Sequence, residues 1–151
     1  MNSKYEISTK ENREFLKASC EELLNFGHRF PSPNGGSYYL GDDGTPWKDR
    51  NRETWITCRM AHVYSLGLML GHEGSGELAD AALKGLKGEL HDEKNGGWYA
   101  GVTPEGDIVP NKQCYAHAFV ILAASSALTA GRPGAKELLE EALAVYDRHF
   151  W

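Results

Sequence analysis

In the segment TWITCRMAHVYSLGLML, Trp55, Arg59, His62 and Leu66 are separated by four, three and four residues. On a helix that spacing lines up an aromatic ring, a guanidinium and an imidazole along one face. The surrounding residues are apolar and give Arg59 no packing reason to be there. A guanidinium withdrawn from water needs its donors met by carboxylates or by ligand oxygens, and its planar fork suits neighbouring hydroxyl or carbonyl oxygens of a bound sugar. Two readings therefore stand together: a buried ion pair with Asp42, Asp49 or Glu53, or a contact to a ligand. Trp55 and Trp98 are either core mass or platforms for the apolar face of a sugar ring. Tyr115 is either a core aromatic or a phenol aimed into a pocket. His62 and His117 each follow an alanine and precede an aromatic by two residues. Such matching positions favour packing over catalysis, because repeats repeat structure, with a proton shuttle near neutral pH as the alternative.

Other chemistries fail on spacing. The chain contains no HExxH, EF-hand or phosphate-loop pattern and no GxGxxG followed by a helix, so neither a metal nor a cofactor is implied. Asn34-Gly35-Gly36 and Asn95-Gly96-Gly97 read as turns. Glu140-Glu141 and Asp42-Asp43 are adjacent and point apart, so they cannot act as facing carboxylates. Cys20, Cys58 and Cys114 are odd in number and widely spaced, which suggests buried free thiols. The chain has 16 Lys and Arg against 21 Asp and Glu, and the cations are scattered, so a nucleic-acid partner is not indicated. No apolar run reaches the roughly 20 residues of a membrane span. The start, MNSKYEISTKENREF, lacks the apolar core of a secretory signal, which makes the cytoplasm the default compartment.

The elements that must position these residues are mainly helices. The first is expected from Ser8 to Phe26, opened by a Ser8/Glu11 capping box and stopped at Gly27. A Gly- and Pro-rich loop follows, with turn signals at Asn34-Gly35 and Asp43-Gly44 around Tyr38-Tyr39, suggesting a short hairpin. Further helices are expected over Thr54–Leu70, Ser75–His91, Lys112–Ala130 and Ala135–His149, with a hairpin of Trp98–Val102 and Ile108–Val109 around Pro104-Glu105-Gly106.

An internal repeat organises them. Ala61-His62 is paired with Ala116-His117, and at an offset of about 60 residues Gly71, Gly74, Glu77 and Leu78 match Gly131, Gly134, Glu137 and Leu138. In each unit the first helix is apolar nearly all round and the second is charged on one face, the mark of an inner and an outer layer. The fold class is therefore all-α, an α/α toroid in part, with short β-hairpin loops. Closing a six-unit ring would take about 350 residues at roughly 55–60 per unit, so residues 1–151 are expected to be the amino-terminal part of one domain. The last two residues, Phe150-Trp151, point the same way: two large apolar residues end an outer helix where a natural terminus is usually polar and frayed, so truncation is the expected reading. Apolar flanks on the first and fifth helices should then favour self-association.

Through TWITCRMAHVYSLG, GGWYAGV, KQCYAHAFVILAASSALTAG and HFW, the chain resembles the N-acylglucosamine 2-epimerase superfamily, nearest its aldose–ketose isomerase branch of mannose and sulfoquinovose isomerases. The resemblance runs from about Phe15 to Trp151. It implies an (α/α)6 barrel with a sugar pocket at one mouth and an isomerase or epimerase acting on a free monosaccharide. It places Arg59 and Tyr115 in that pocket, with Trp55 nearby; His117 is taken as a further candidate for substrate binding. The family's pair of acid/base histidines belongs to later helices, expected beyond Trp151, so no catalytic residue maps onto this chain. Two alternatives are a non-catalytic helical-repeat scaffold and another α/α-toroid carbohydrate enzyme. The first would carry binding residues on every inner helix, whereas Trp55-Arg59 occurs once; the second needs opposed inner carboxylates, and only Glu53 stands near an entrance.

Overall fold

The computed structural model describes residues 6–151. Five helices carry it: α1 (Lys10–Gly27), α2 (Thr54–Met69), α3 (Ser75–Leu86), α4 (Cys114–Thr129) and α5 (Ala135–His149). The mostly helical architecture bears out the all-α class. Among the described residues, no helix is long and apolar enough to cross a membrane.

Small side chains set the packing. Ala61, Ala79, Ala82, Ala123, Ala124, Ala127, Ala135 and Ala142 are fully buried, which lets helix axes approach closely while Tyr64, Leu83, Leu86, Trp98 and Val120 fill the spaces between. α2 packs on α3, α4 packs on α5, and α2 lies beside α4, so α2 and α4 form one layer backed by α3 and α5. Each pair is joined by a tight connection in which two glycines adopt positive φ, Gly71 and Gly74 in the first and Gly131 and Gly134 in the second. The layers are pinned across units by the ion pair of Arg132 with Asp80 and the hydrogen bond between His91 Nε2 and Glu141.

Exposure departs from the sequence reading of α2 and α4. Both are apolar, yet each is buried on only one side: Val63, Leu66 and Leu70 at α2 and Leu122 and Leu128 on α4 are exposed. Apolar periodicity reports which residues avoid water in a complete packing, and this face has no neighbour among the described residues.

The β elements are short. β1 (Tyr39–Leu40) pairs with β2 (Pro46–Trp47), and β3 (Arg52–Glu53), β4 (Gly101–Val102) and β5 (Ile108–Val109) form an antiparallel three-stranded sheet. The β4–β5 hairpin was expected; β3 was not, because its partner lies about fifty residues away and leaves no local pattern.

Several local expectations are corrected. The cap of α1 is Thr9, whose hydroxyl accepts from the Asn12 amide, rather than Ser8. α3 ends at Leu86 rather than His91, since Gly85 and Gly88 lead into a turn that brings His91 into a bridge with Trp98. Of the three free thiols only Cys58 is buried; Cys20 and Cys114 are exposed. The chain leaves helical geometry at Phe150, where φ is −130°, and the Phe150 ring turns in to meet the His117 ring at 4.8 Å. Trp151 stands past the end of α5 and is 94% exposed, so among the described residues it packs on nothing further.

Candidate functional site

Trp55 and Tyr115 are each the second residue of their helix, α2 and α4. Because the two helices lie side by side, the rings meet edge to face, with centroids 6.0 Å apart. One turn further on, Arg59 stacks its guanidinium 4.7 Å from the Trp55 ring and 5.2 Å from the Phe119 ring, a cation–π arrangement with an aromatic on either side. Its Nη2 donates to the Tyr115 hydroxyl at 3.4 Å, and Tyr115 in turn packs on Phe119 at 4.9 Å. The structure thus brings Trp55, Arg59 and Tyr115 into one cluster.

Arg59 is exposed, and among the described residues it makes no ion pair. The buried-pair reading is therefore corrected. Glu53 is occupied differently: its Oε2 accepts from the Trp55 indole nitrogen at 2.6 Å and from the Tyr39 phenol. Tyr39 stands edge-on to Trp55 at 6.3 Å, and its phenol is pushed up to about 12 by burial and then by the bond to Glu53, so it stays a donor at working pH. Arg50 lies 4.4 Å from the Trp47 ring and 5.9 Å from that of Tyr39, extending the aromatic and cationic surface outward along the β1–β2 hairpin.

The backbone under this cluster is fixed from the second unit. Arg52 and Glu53 pair with Val102 and Gly101. The Thr54 amide donates to the Ala100 carbonyl at 3.0 Å and its hydroxyl to the Tyr99 carbonyl at 2.6 Å. Gly101 is required here, because a Cβ would stand 2.7 Å from the Arg52 carbonyl oxygen. Arg52 itself is drawn inward by Ser32 and by an ion pair with Glu89 at 2.7 Å.

His117 lies apart from the cluster and is fully buried. Its Nδ1 donates to the Gln113 carbonyl at 2.8 Å, which leaves Nε2 to accept from the Trp98 amide at 3.1 Å. Both nitrogens are thus committed to backbone, and burial lowers the imidazole's pKa. The structure thus sets His117, expected as a substrate contact, apart from the Trp55–Arg59–Tyr115 cluster. The pairing of His62 with His117 is also out of register. α2 and α4 superimpose at an offset of 60, as their starts at 54 and 114 require, which pairs His117 with Thr57 and His62 with Leu122. The correspondence has a physical basis: the Ser37 amide after Asn34-Gly35-Gly36 donates to the Thr57 hydroxyl at 3.0 Å, as the Trp98 amide after Asn95-Gly96-Gly97 donates to His117. His62 bonds the Ser126 hydroxyl through Nδ1 at 2.6 Å. Trp151, exposed past α5, takes no part in the cluster.

Sequence reasoning missed Tyr39 and Phe119, and Glu53, one of three carboxylates offered as a possible partner for Arg59, bonds Trp55 and Tyr39 instead. The 60-residue offset could have found Phe119, since it sets Phe119 opposite Arg59. No local signal marks Tyr39, which arrives only by closure of the β1–β2 hairpin. Among the described residues no cluster of His, Cys, Asp or Glu could hold a metal ion.

Residues 35–151 match the family described as N-acylglucosamine 2-epimerase (GlcNAc 2-epimerase). The chain is 40% identical over 141 residues to a D-mannose isomerase of Thermobifida fusca, covering 93% of this chain and 35% of that protein. It is 36% identical over 145 residues to a D-mannose isomerase of Pseudomonas cannabina pv. alisalensis, covering 96% and 34%. Among solved structures, cellobiose 2-epimerase from Bacillus thermoamylovorans superimposes with a TM-score of 0.74 at 25% identity over 89% of this chain and 37% of that one. A D-mannose isomerase crystal structure shares the fold with a TM-score of 0.82 at 23% identity over 97% and 38%. The chain spans about a third of the length of the curated relatives it matches.

Proposed function

The chain belongs to the N-acylglucosamine 2-epimerase family, and we propose that it forms the first arc of an (α/α)6 ring that isomerises or epimerises a free monosaccharide in the cytoplasm. One observation carries this reading: an exposed guanidinium, free of any carboxylate among the described residues, held between Trp55 and Phe119 with its fork turned toward the Tyr115 hydroxyl. An aromatic wall beside unspent N–H donors suits a sugar, whose rings and chains present apolar C–H faces and hydroxyl edges together. The naming of two relatives as D-mannose isomerases supports an aldohexose as substrate.

The chemistry follows from an open-chain aldose. The C1 carbonyl acidifies the proton on C2; a base removes it, and the electron pair moves to the carbonyl oxygen, giving an enediolate. Return of a proton to C1, with the O2 hydroxyl proton passing to O1 as C2 becomes the carbonyl, yields the ketose, and return to the opposite face of C2 yields the epimer. Arg59 supplies a fixed positive charge where the oxyanion develops, and Tyr115 orients the chain of hydroxyls. The nearby starts of α2 and α4 add partial positive charge from their free N–H groups. The proton-transfer groups lie outside this cluster: His117 and His62 are engaged in hydrogen bonds within the fold. On this reading they come from helices beyond Trp151 that complete the ring.

The test is isomerisation in the intact enzyme. Loss of C2 deuterium from labelled mannose to solvent should accompany fructose formation, and Arg59→Ala should lower kcat/KM by about 10²–10³. Unchanged kcat/KM in that variant would remove Arg59 from the mechanism.

A further inference from the structure

We infer that Glu53 is a positioning residue for the sugar-facing cluster, one carboxylate oxygen acting as the clasp that fixes both the Trp55 ring and the β1–β2 hairpin bearing Tyr39. The inference rests on the proposed function for what the cluster binds, but its geometric content is independent of it.

Three observations converge. First, the same Glu53 oxygen, Oε2, receives the Trp55 indole N–H at 2.6 Å and the Tyr39 hydroxyl. A carboxylate is acceptor-only and has lone pairs enough for both, and each bond carries the added strength of a charged acceptor. Second, Glu53 makes no ion pair among the described residues, so its charge is met by these two neutral donors and is not drawn away by Arg50 or Arg59. Third, the Glu53 backbone cannot drift, because β3 is paired with Gly101 and Val102 of β4 and followed at once by the Thr54 bonds to Tyr99 and Ala100. A side chain anchored at its base by the second unit therefore reaches into the first and holds two aromatic rings at set angles.

The consequence for Arg59 is indirect. Its guanidinium rests on the Trp55 face, so the plane of that ring sets where the N–H fork points. Releasing the indole N–H would let Trp55 rotate about its side-chain torsions, and Arg59 would follow. Tyr39 does not touch Arg59 in a hydrogen bond; its part is to keep the hairpin closed over Trp55.

Glu53→Gln and Tyr39→Phe, singly and together, test this. Gln keeps size and one acceptor but sets an amide donor against the two donors it must receive. In this chain, the Trp55 indole ¹H–¹⁵N resonance should move and its hydrogen exchange should quicken about tenfold in Glu53→Gln, as expected for loss of a bond to a charged group. Tyr39→Phe, whose ring is retained, should move the same resonance less. In the intact enzyme, Glu53→Gln should lower kcat/KM about tenfold, mainly through KM, as expected for a group that places the binding surface. The double variant should be no worse than Glu53→Gln alone, because both substitutions undo one clasp.

An indole resonance and exchange rate unchanged in Glu53→Gln would overturn the inference, as would additive losses in the double variant. If mannose and related sugars neither bind nor react with the unaltered enzyme, the proposed function falls, while the indole measurement still decides the clasp. Tyr39→Phe carries the test should Glu53→Gln fail to fold: an unmoved Trp55 resonance there would likewise overturn the proposal.

Discussion

A histidine is informative at the level of its two nitrogens, and His117 is the clearest case. The bond from Nδ1 to the Gln113 carbonyl fixes the neutral tautomer, and the lone pair left on Nε2 receives the Trp98 amide. Protonation would set an N–H against an N–H, in a site that already disfavours charge by burial. The folded pKa is accordingly below the ordinary value of 6.5. The sign follows from proton counts: below about 6.5 the unfolded chain holds a proton that the folded chain does not, so unfolding takes one up. The stabilisation is complete above that pH and is lost as pH falls below it. Urea midpoints measured between pH 7.5 and 5.5 should therefore decline in the unaltered chain. His117→Gln, which keeps an acceptor without a titrating ring, should flatten that decline; an equal slope in both would assign it to other groups. Gly97 shows how closely the pocket fits, since a Cβ there would stand 2.8 Å from His117 Nε2.

At the scale of elements, glycine in a helix illustrates context overruling propensity. Gly85 lies inside α3, where alanine ordinarily gains about 1 kcal/mol. Here the Gly35-Gly36 turn packs directly on it: an added Cβ would stand 2.5 Å from the Gly36 Cα and 2.9 Å from the Gly35 carbonyl carbon. Gly85→Ala is expected to cost about 1–3 kcal/mol by overpacking, read as a lower urea midpoint. Gly76→Ala, in the first turn of the same helix, meets the guanidinium of Arg132 at 3.3 Å and the end of the Leu68 side chain at 3.7 Å, with no backbone in the way, and should change stability by less than about 1 kcal/mol. Equal effects at the two positions would refute the close-approach argument. The same contrast explains what the sequence could disclose. Helix α5 was legible end to end, and α2 and α4 nearly so, because apolar spacing and glycine stops are local properties. The Trp55–Arg59 pair was legible for the same reason, being one turn apart on one helix. Its neighbours left no local pattern. Tyr115 was reached only through the family resemblance, because it comes close only when α2 lies beside α4; Tyr39 comes close only when a hairpin closes, and Glu53 is fixed by a strand partner near residue 101. The histidine register failed because two Ala-His pairs are a weaker constraint than the coincidence of helix starts and glycine turns at an offset of 60.

For the whole molecule, the exposed apolar face leads to a prediction about solution behaviour. α1 touches the body mainly through Leu24 and Gly27, where the Tyr64 hydroxyl donates to the Leu24 carbonyl at 2.8 Å, while Phe15, Leu16, Leu23 and Phe26 are exposed. Between α1 and α2, Cys20, Leu23, Leu24, Val63, Leu66, Gly67 and Leu70 border an open apolar furrow of about 170 Å³. Leu122 on α4, Leu143 on α5 and Trp151 just past it add to the exposed apolar surface. Contiguous apolar surface of this kind is uncommon on soluble monomers, and a net charge of −5 offers only modest, salt-screened repulsion against association. In a closed ring such faces meet neighbouring helix pairs; on the isolated chain they meet water or one another. Sedimentation velocity across a wide concentration range should show the average mass rising above that of the monomer, more so in sulfate, which strengthens apolar association. Replacing the exposed Leu23 and Leu66 together by lysine should shift the distribution toward monomer with the helical circular dichroism intact, since neither side chain is buried in the core. A chain that remains monomeric at every concentration, and that melts cooperatively, would mean that α1 and α2 close the furrow between themselves.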